Sequence, residues 1–126
     1  MNEVLSQLHA RKSVRAFLDR PIPPEARRAI LEAACAAPTA GNQQLYTILD
    51  ITDQAVKDTL ADTCDHQPFI AQAPLVLLFC ADCQKWYDAF AAGGCSPRRP
   101  GPGDLWLALS DANIAAQNAV TAAWRD

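Results

Sequence analysis

Val4, Leu5 and Leu8 recur at helical spacing, and Asn2 stands where its side-chain carbonyl can cap a first turn. The pattern predicts a short helix ending near Arg11, with Glu3 well placed at its positive end. Pro23-Pro24-Glu25 announces a second helix, since proline is tolerated in a first turn, and Ala26, Ile30, Ala33 and Ala37 extend it along one stripe until Pro38. Thr39-Ala40-Gly41-Asn42-Gln43-Gln44 reads as a loop. Residues 45–51 then have the β-branched and aromatic content of a strand, apolar on both faces and therefore expected to be covered on both.

Helical spacing returns after Thr52-Asp53, a capping pair that predicts a helix over 54–64 with Val56 and Leu60 on its core face and a turn over 65–68. Residues 74–80, opening on Pro74, form a short continuous apolar run that suits a buried central strand. Trp86, Tyr87 and Phe90 share a helical face and read first as packing residues, second as the wall of a substrate pocket. The glycines and prolines of 93–103 predict a loop. From Asp104 a last helix carries Ala108, Ala112, Ala115, Ala116, Ala119, Ala122 and Ala123, small enough for close helix approach, with Asp111 and Asn118 on one side.

Composition narrows the class. A chain of 126 residues, 50% hydrophobic and 20% charged, is expected to be one globular domain over 1–126. A formal charge of -3 argues against a nucleic-acid partner. The N-terminus has no basic and apolar leader pattern, and the longest apolar run, 73–81, contains a proline and falls well short of the ~20 residues of a membrane span, so the expected location is cytoplasmic. Five cysteines, an odd number, fit a reducing compartment, and most of them read as small buried hydrophobes.

The candidate chemistry is concentrated in Arg11-Lys12-Ser13-Val14-Arg15: three cations and a hydroxyl within five residues, able to hold one phosphate. The same tract also suits a solvated basic helix end. Elsewhere the signals are weaker. Cys80-Ala81-Asp82-Cys83 has dithiol spacing, but Cys80 belongs to the apolar run and no clean second ligand pair completes a zinc site. Gly101-Pro102-Gly103 is too short for a dinucleotide fingerprint, Arg98-Arg99 reads as a solvated pair, and His9 and His66 read as surface residues.

Arg-Lys-Ser-Val-Arg-Ala-Phe from Arg11, followed by Pro38-Thr39-Ala40-Gly41-Asn42-Gln43-Gln44 leading into a strand, resembles the paired N-terminal signatures of the nitroreductase family. Gln67-Pro68-Phe69-Ile70-Ala71-Gln72-Ala73-Pro74 and Asp111-Ala112-Asn113-Ile114-Ala115-Ala116-Gln117-Asn118 extend the resemblance over nearly the whole chain. It implies an α+β fold with a central mixed sheet flanked by helices, and a homodimer holding FMN between subunits. Arg11, Lys12 and Ser13 would hold the phosphate and ribityl chain, and Arg15 would lie at the pyrimidine edge, where a cation stabilises charge arriving with hydride. Pro38, Thr39, Ala40 and Asn42 match the loop laid against the flavin ring, and Gln67 matches a further contact.

The implied activity is NAD(P)H-dependent reduction of a nitroaromatic, a quinone or a flavin by ping-pong hydride transfer, with no side chain required as catalytic acid or base. Family members continue past the last helix with further strands and flavin contacts. The chain is therefore expected to be an N-terminal portion, and the alternative to an enzyme is an inactive fragment that binds flavin or dimerises without turnover.

Overall fold

The computed structural model describes residues 2–124. Their order is α1 (Glu3–Ala10), α2 (Pro24–Cys35), a 3-10 turn (Ala40–Asn42), β1 (Tyr46–Asp50), α3 (Gln54–Thr63), α4 (Phe69–Gln72), β2 (Leu77–Ala81), α5 (Gln84–Ala92) and α6 (Pro102–Ala123). The class is α+β, as expected. Several boundaries follow directly from local chemistry: Asn2 Oδ1 accepts the Leu5 N–H at 2.9 Å, Asp53 Oδ1 accepts the Val56 N–H at 3.0 Å, and Pro24 opens α2.

The strands β1 and β2 pair antiparallel, with Tyr46 opposite Ala81 and Ile48 opposite Phe79. Beyond the ladder, Ile51 N–H reaches Val76 O at 3.0 Å and Asp82 N–H reaches Leu45 O at 2.9 Å. The second strand thus starts three residues later than the apolar run suggests, because Pro74 has no N–H to offer and pairing begins only where Val76 meets Ile51. Nor is the sheet covered on both faces. Tyr46, Ile48 and Phe79 pack toward α2 and α6, whereas Leu49 and Leu78 on the opposite face are 43% and 40% exposed.

The covering layer depends on small side chains. Ala34 of α2 and Ala108 and Ala115 of α6 are fully buried, so the two helices approach closely, and Asn118 Nδ2 donates to Ala33 O across the seam at 3.0 Å. Ala115 clusters with Ala37, Tyr46 and Ala112, and Ala119 clusters with Ile30 and Ala34. Asp111, one face with Asn118 and only 2% exposed, accepts the Ala40 N–H at 3.3 Å and the Leu45 N–H at 3.2 Å. The long helix therefore holds both ends of the loop between α2 and β1.

Other expectations need correction. In α3 the buried face is Lys57 and Ala61, one residue on from Val56, which is exposed; the Lys57 stem covers apolar surface while its Nζ donates to Ala73 O at 3.1 Å. No cysteine is fully buried: Cys35, Cys64 and Cys95 are exposed, Cys80 and Cys83 are half-buried, and all five are free thiols. The last helix starts at Pro102, earlier than Asp104, because Asp104 turns back to accept the Gly101 N–H at 2.7 Å. Arg98 grips that same carboxylate through both terminal nitrogens, at 2.7 and 2.9 Å, and Arg99 lies 5.6 Å over the Tyr87 ring, so the pair is exposed, as expected, but has partners as well. Among the described residues no helix is long and apolar enough to cross a membrane.

Three outcomes follow for stability. Asp111→Ala leaves two N–H groups of a tightly packed loop without an acceptor and is expected to cost about 2–4 kcal/mol in denaturant unfolding, with Asp111→Asn costing roughly half. Ala115→Leu overfills the seam between α2 and α6 and is expected to lower stability by about 1–3 kcal/mol. Acid should weaken the fold through Asp104, held from 3.8 down to about 2 chiefly by the Arg98 hydrogen bonds, and through Asp82, lowered chiefly by the Thr47 hydroxyl. Their stabilisation is complete above the unfolded value and is lost as pH falls through the folded value, so urea midpoints measured from pH 5 downward should drop less steeply in Asp104→Asn and Asp82→Asn than in the parent.

Candidate flavin site

The basic tract leaves α1 in an extended path. Arg11 caps the helix, its N–H reaching Gln7 O at 2.9 Å, and its own backbone at φ -60, ψ 135 leads the chain away. From residue 12 to residue 17 no backbone group forms a hydrogen bond among the described residues, and every residue from Arg11 to Phe17 is exposed. The side chains of Arg11, Lys12 and Ser13 likewise make no hydrogen bond or ion pair among the described residues. Arg15 is the exception, its guanidinium 5.7 Å from the Phe69 ring centroid.

The loop after α2 is built in the opposite way, with nearly every group tied down. Thr39 is extended and its Oγ1 accepts the Gln44 N–H at 3.2 Å, closing the loop on itself. Gly41, Asn42 and Gln44 are all left-handed, at φ 58, 54 and 46; at Gly41 it is this φ that favours glycine, since an added Cβ would meet nothing closer than 3.7 Å. The Gln44 side-chain amide donates to both Asn42 O, at 2.6 Å, and Asn42 Oδ1. Trp86 Nε1 donates to Gln43 O at 2.6 Å, and Ala40 N–H is held by Asp111. Pro38 and Asn42 face solvent, while Thr39 and Ala40 are half-buried.

Gln67 follows two left-handed residues, Asp65 and His66, and its side chain turns back to donate to Cys64 O at 3.0 Å while its N–H reaches Ala61 O at 2.7 Å. This turn presents Phe69 to Arg15 and so brings the Gln67 segment beside the basic tract. The loop from Pro38 to Asn42 is not joined to the tract by any hydrogen bond or ion pair among the described residues; Ala40 is tied to α6, and the following Gln43 and Leu45 are tied to α5 and α6. One chain thus carries two separate groups of predicted residues.

Two residues named in the sequence have a role at the loop that the sequence reading did not give them. Asp111 is one, although its polar character on a small-residue packing face was a usable signal; Trp86 is the other, bridging to the loop through its indole N–H. Beneath the loop, burial pushes the Tyr46 phenol up, and Cys35 and Asp111 push it the same way, so it stays protonated beside the carboxylate. Lys85 donates to Tyr46 O at 2.8 Å and lies 5.5 Å over its ring. The residues around Cys80 and Cys83 form no grouping that could hold a metal among the described residues.

Comparison with known proteins identifies the family. The chain is 39% identical over 82 residues to the FMN reductase [NAD(P)H] of Bacillus subtilis, a match covering 65% of this chain and 33% of that one. It is 31% identical over 124 residues to the oxygen-insensitive NADPH nitroreductase of Salmonella typhimurium, covering 98% of this chain and 50% of the relative. Its fold superposes on the NADPH:FMN oxidoreductase of Vibrio harveyi complexed with NAD+ with a TM-score of 0.90 at 27% identity, covering 98% of this chain and 52% of that one. The chain spans about half the length of these longer matches. Residues 8–126 match the model of the nitroreductase family, and the chain belongs to that family.

Proposed function

We propose that this chain carries an FMN-anchoring part of an NAD(P)H-dependent oxidoreductase whose electron acceptors are nitroaromatics, quinones or flavins. The observation that carries the reading is the unspent bonding capacity of the basic tract: Arg11, Lys12 and Ser13 expose two cations and a hydroxyl, and from Lys12 onward the extended backbone N–H groups are unpaired among the described residues. That donor set fits a phosphate monoester, which demands several charge-assisted hydrogen bonds at once. The FMN reductase and the NADPH nitroreductase among its relatives support the cofactor and the reductant.

In this reading Arg11, Lys12 and Ser13 bind the phosphate and ribityl chain. Arg15, steered by Phe69, supplies positive charge at the pyrimidine edge, and Gln67 stands beside it. Pro38, Thr39, Ala40 and Asn42 form the wall against the ring, kept rigid by Asp111 and by the Gln44 amide. FMN supplies hydride transfer from a reduced nicotinamide to the acceptor; the protein supplies position, charge and exclusion of water. The separation of tract and loop within one chain supports a homodimeric site, one copy giving the phosphate anchor and the other the wall. Uncovered apolar positions such as Leu49 and Leu78 favour a second reading, a module that binds flavin or pairs with another chain without turnover.

The test is direct. The purified chain should take up FMN as a yellow complex, and Arg11→Ala with Arg15→Ala should weaken it at least about tenfold per cation while leaving the oligomeric state unchanged. NAD(P)H oxidation with a quinone then separates enzyme from module. Equal flavin affinity in parent and double variant would return the tract to a solvated helix end.

A further inference from the structure

Lys57 is the least expected side chain of the interior. The residue is only 9% exposed, and among the described residues its Nζ makes one hydrogen bond, to Ala73 O, with no carboxylate within ion-pair distance. Packing alone would be served better by methionine, which has a similar stem and no charge to remove from water. The ammonium is therefore explained by the carbonyl that it holds. Ala73 closes α4, a helix of four residues that cannot satisfy its own last carbonyls. Two side chains of α3, three residues apart on one face, do so instead: Gln54 Nε2 donates to Ala71 O at 3.1 Å, and Lys57 Nζ donates to Ala73 O at 3.1 Å.

Burial decides which of these bonds matters most. The bonds of the Gln54 and Gln67 side chains are exposed, so water can replace them, whereas the Lys57 bond is buried and its loss leaves a carbonyl unmet. The helix held in this way begins with Phe69, whose ring centroid lies 5.7 Å from the Arg15 guanidinium. A cation–π contact extends only to about 6 Å, so a small retreat of the ring releases the guanidinium. We infer that Lys57 is a positioning residue for the candidate flavin site: by holding the C-terminal end of α4 it fixes Phe69, and through Phe69 the direction of Arg15. The inference rests on the flavin reading above for its consequence, in which the Arg15 charge at the pyrimidine edge favours reduced over oxidised flavin. The link from Lys57 to Arg15 itself needs only this chain's residues.

Two measurements on the full chain separate the positioning from the cofactor. Without FMN, NMR of the Arg15 side-chain protons reads their ring-current shift from Phe69, with Phe69→Leu defining its zero. Lys57→Met is expected to lose at least about half of that shift, Lys57→Arg to restore it, and the exposed Gln54→Ala to keep most of it. With FMN, Lys57→Met is expected to weaken binding of the reduced flavin relative to the oxidised about tenfold, a fall of about 30 mV in the two-electron midpoint potential. In an Arg15→Gln background the same substitution should leave the potential unchanged, because a direct field of the lysine charge would persist there. Should Lys57→Met fail to fold, Lys57→Gln, which keeps a donor one bond short of the carbonyl, takes its place with the same expectations. An Arg15 shift indifferent to the loss of Lys57, or a change in potential that survives in Arg15→Gln, overturns the inference. FMN uptake with an indifferent shift sinks the positioning and leaves the flavin reading standing; a Lys57-dependent shift in a chain that takes up no FMN upholds the positioning of Arg15 and sinks the flavin reading.

Discussion

A single buried carboxylate organises the loop between α2 and β1. Asp111 is almost wholly removed from water, and an anion there is tolerable only because two backbone N–H groups, from Ala40 and Leu45, point at it. Those two residues bracket a loop with left-handed backbone at Gly41, Asn42 and Gln44, conformations that an untethered chain would seldom hold together. The carboxylate can reach them because α6 lies so close to α2 and β1, and α6 lies close because its facing residues are alanines. Small side chains, close helix packing, a buried anion and a rigid loop form one causal sequence. The same packing buries the Tyr46 phenol, and that burial, with smaller contributions from Cys35 and Asp111, pushes its pKa up.

The basic tract is the opposite kind of structure, and the contrast is informative. The loop has spent nearly all its hydrogen-bonding capacity internally, so it can shape a wall but has little left with which to grip an anion. The tract has spent almost none: its backbone runs unpaired through six residues and its cations face solvent. Arg15 is steadied by Phe69, and that contact ties the tract to the turn containing Gln67, giving the anchor one fixed point within the chain.

Local signals in the sequence were read well and distant ones poorly. Asn2, Asp53 and Pro24 each mark a helix start because a cap acts within three residues. Residue types alone left the basic tract open between a phosphate site and a solvated helix end, and only its pairing with the Pro38 to Asn42 loop set it apart. The α3 face was misjudged because Val56 is the apolar choice, yet a lysine stem covers the core while its amine finds Ala73 O, sixteen positions away. The start of β2 depended on which partner residue offered an N–H, something apolar content cannot report. Asp111 acts across separations of 71 and 66 residues, so only its presence on a packing face was visible, never its partners.

These distances also bear on how the two halves of the candidate site can communicate. The loop contacts α5 through Trp86 and α6 through Asp111, while the tract contacts α4 through Phe69. Both routes meet the sheet, since β1 begins at the residue after Leu45 and β2 follows directly from the α4 segment. Antiparallel pairing of those two strands, fixed in register by Tyr46 opposite Ala81 and closed at each end by an extra backbone bond, makes them one rigid unit. A displacement of the loop that broke the Leu45 N–H bond to Asp111 would act on the first strand at its paired end. Because Asp82 and Lys85, just past β2, hold Thr47 and Tyr46 of β1, it would also act on the start of α5. The loop, α5, α6 and the sheet are therefore joined by a continuous set of bonds, whereas from Lys12 to Phe17 the only contact among the described residues is Arg15 over Phe69.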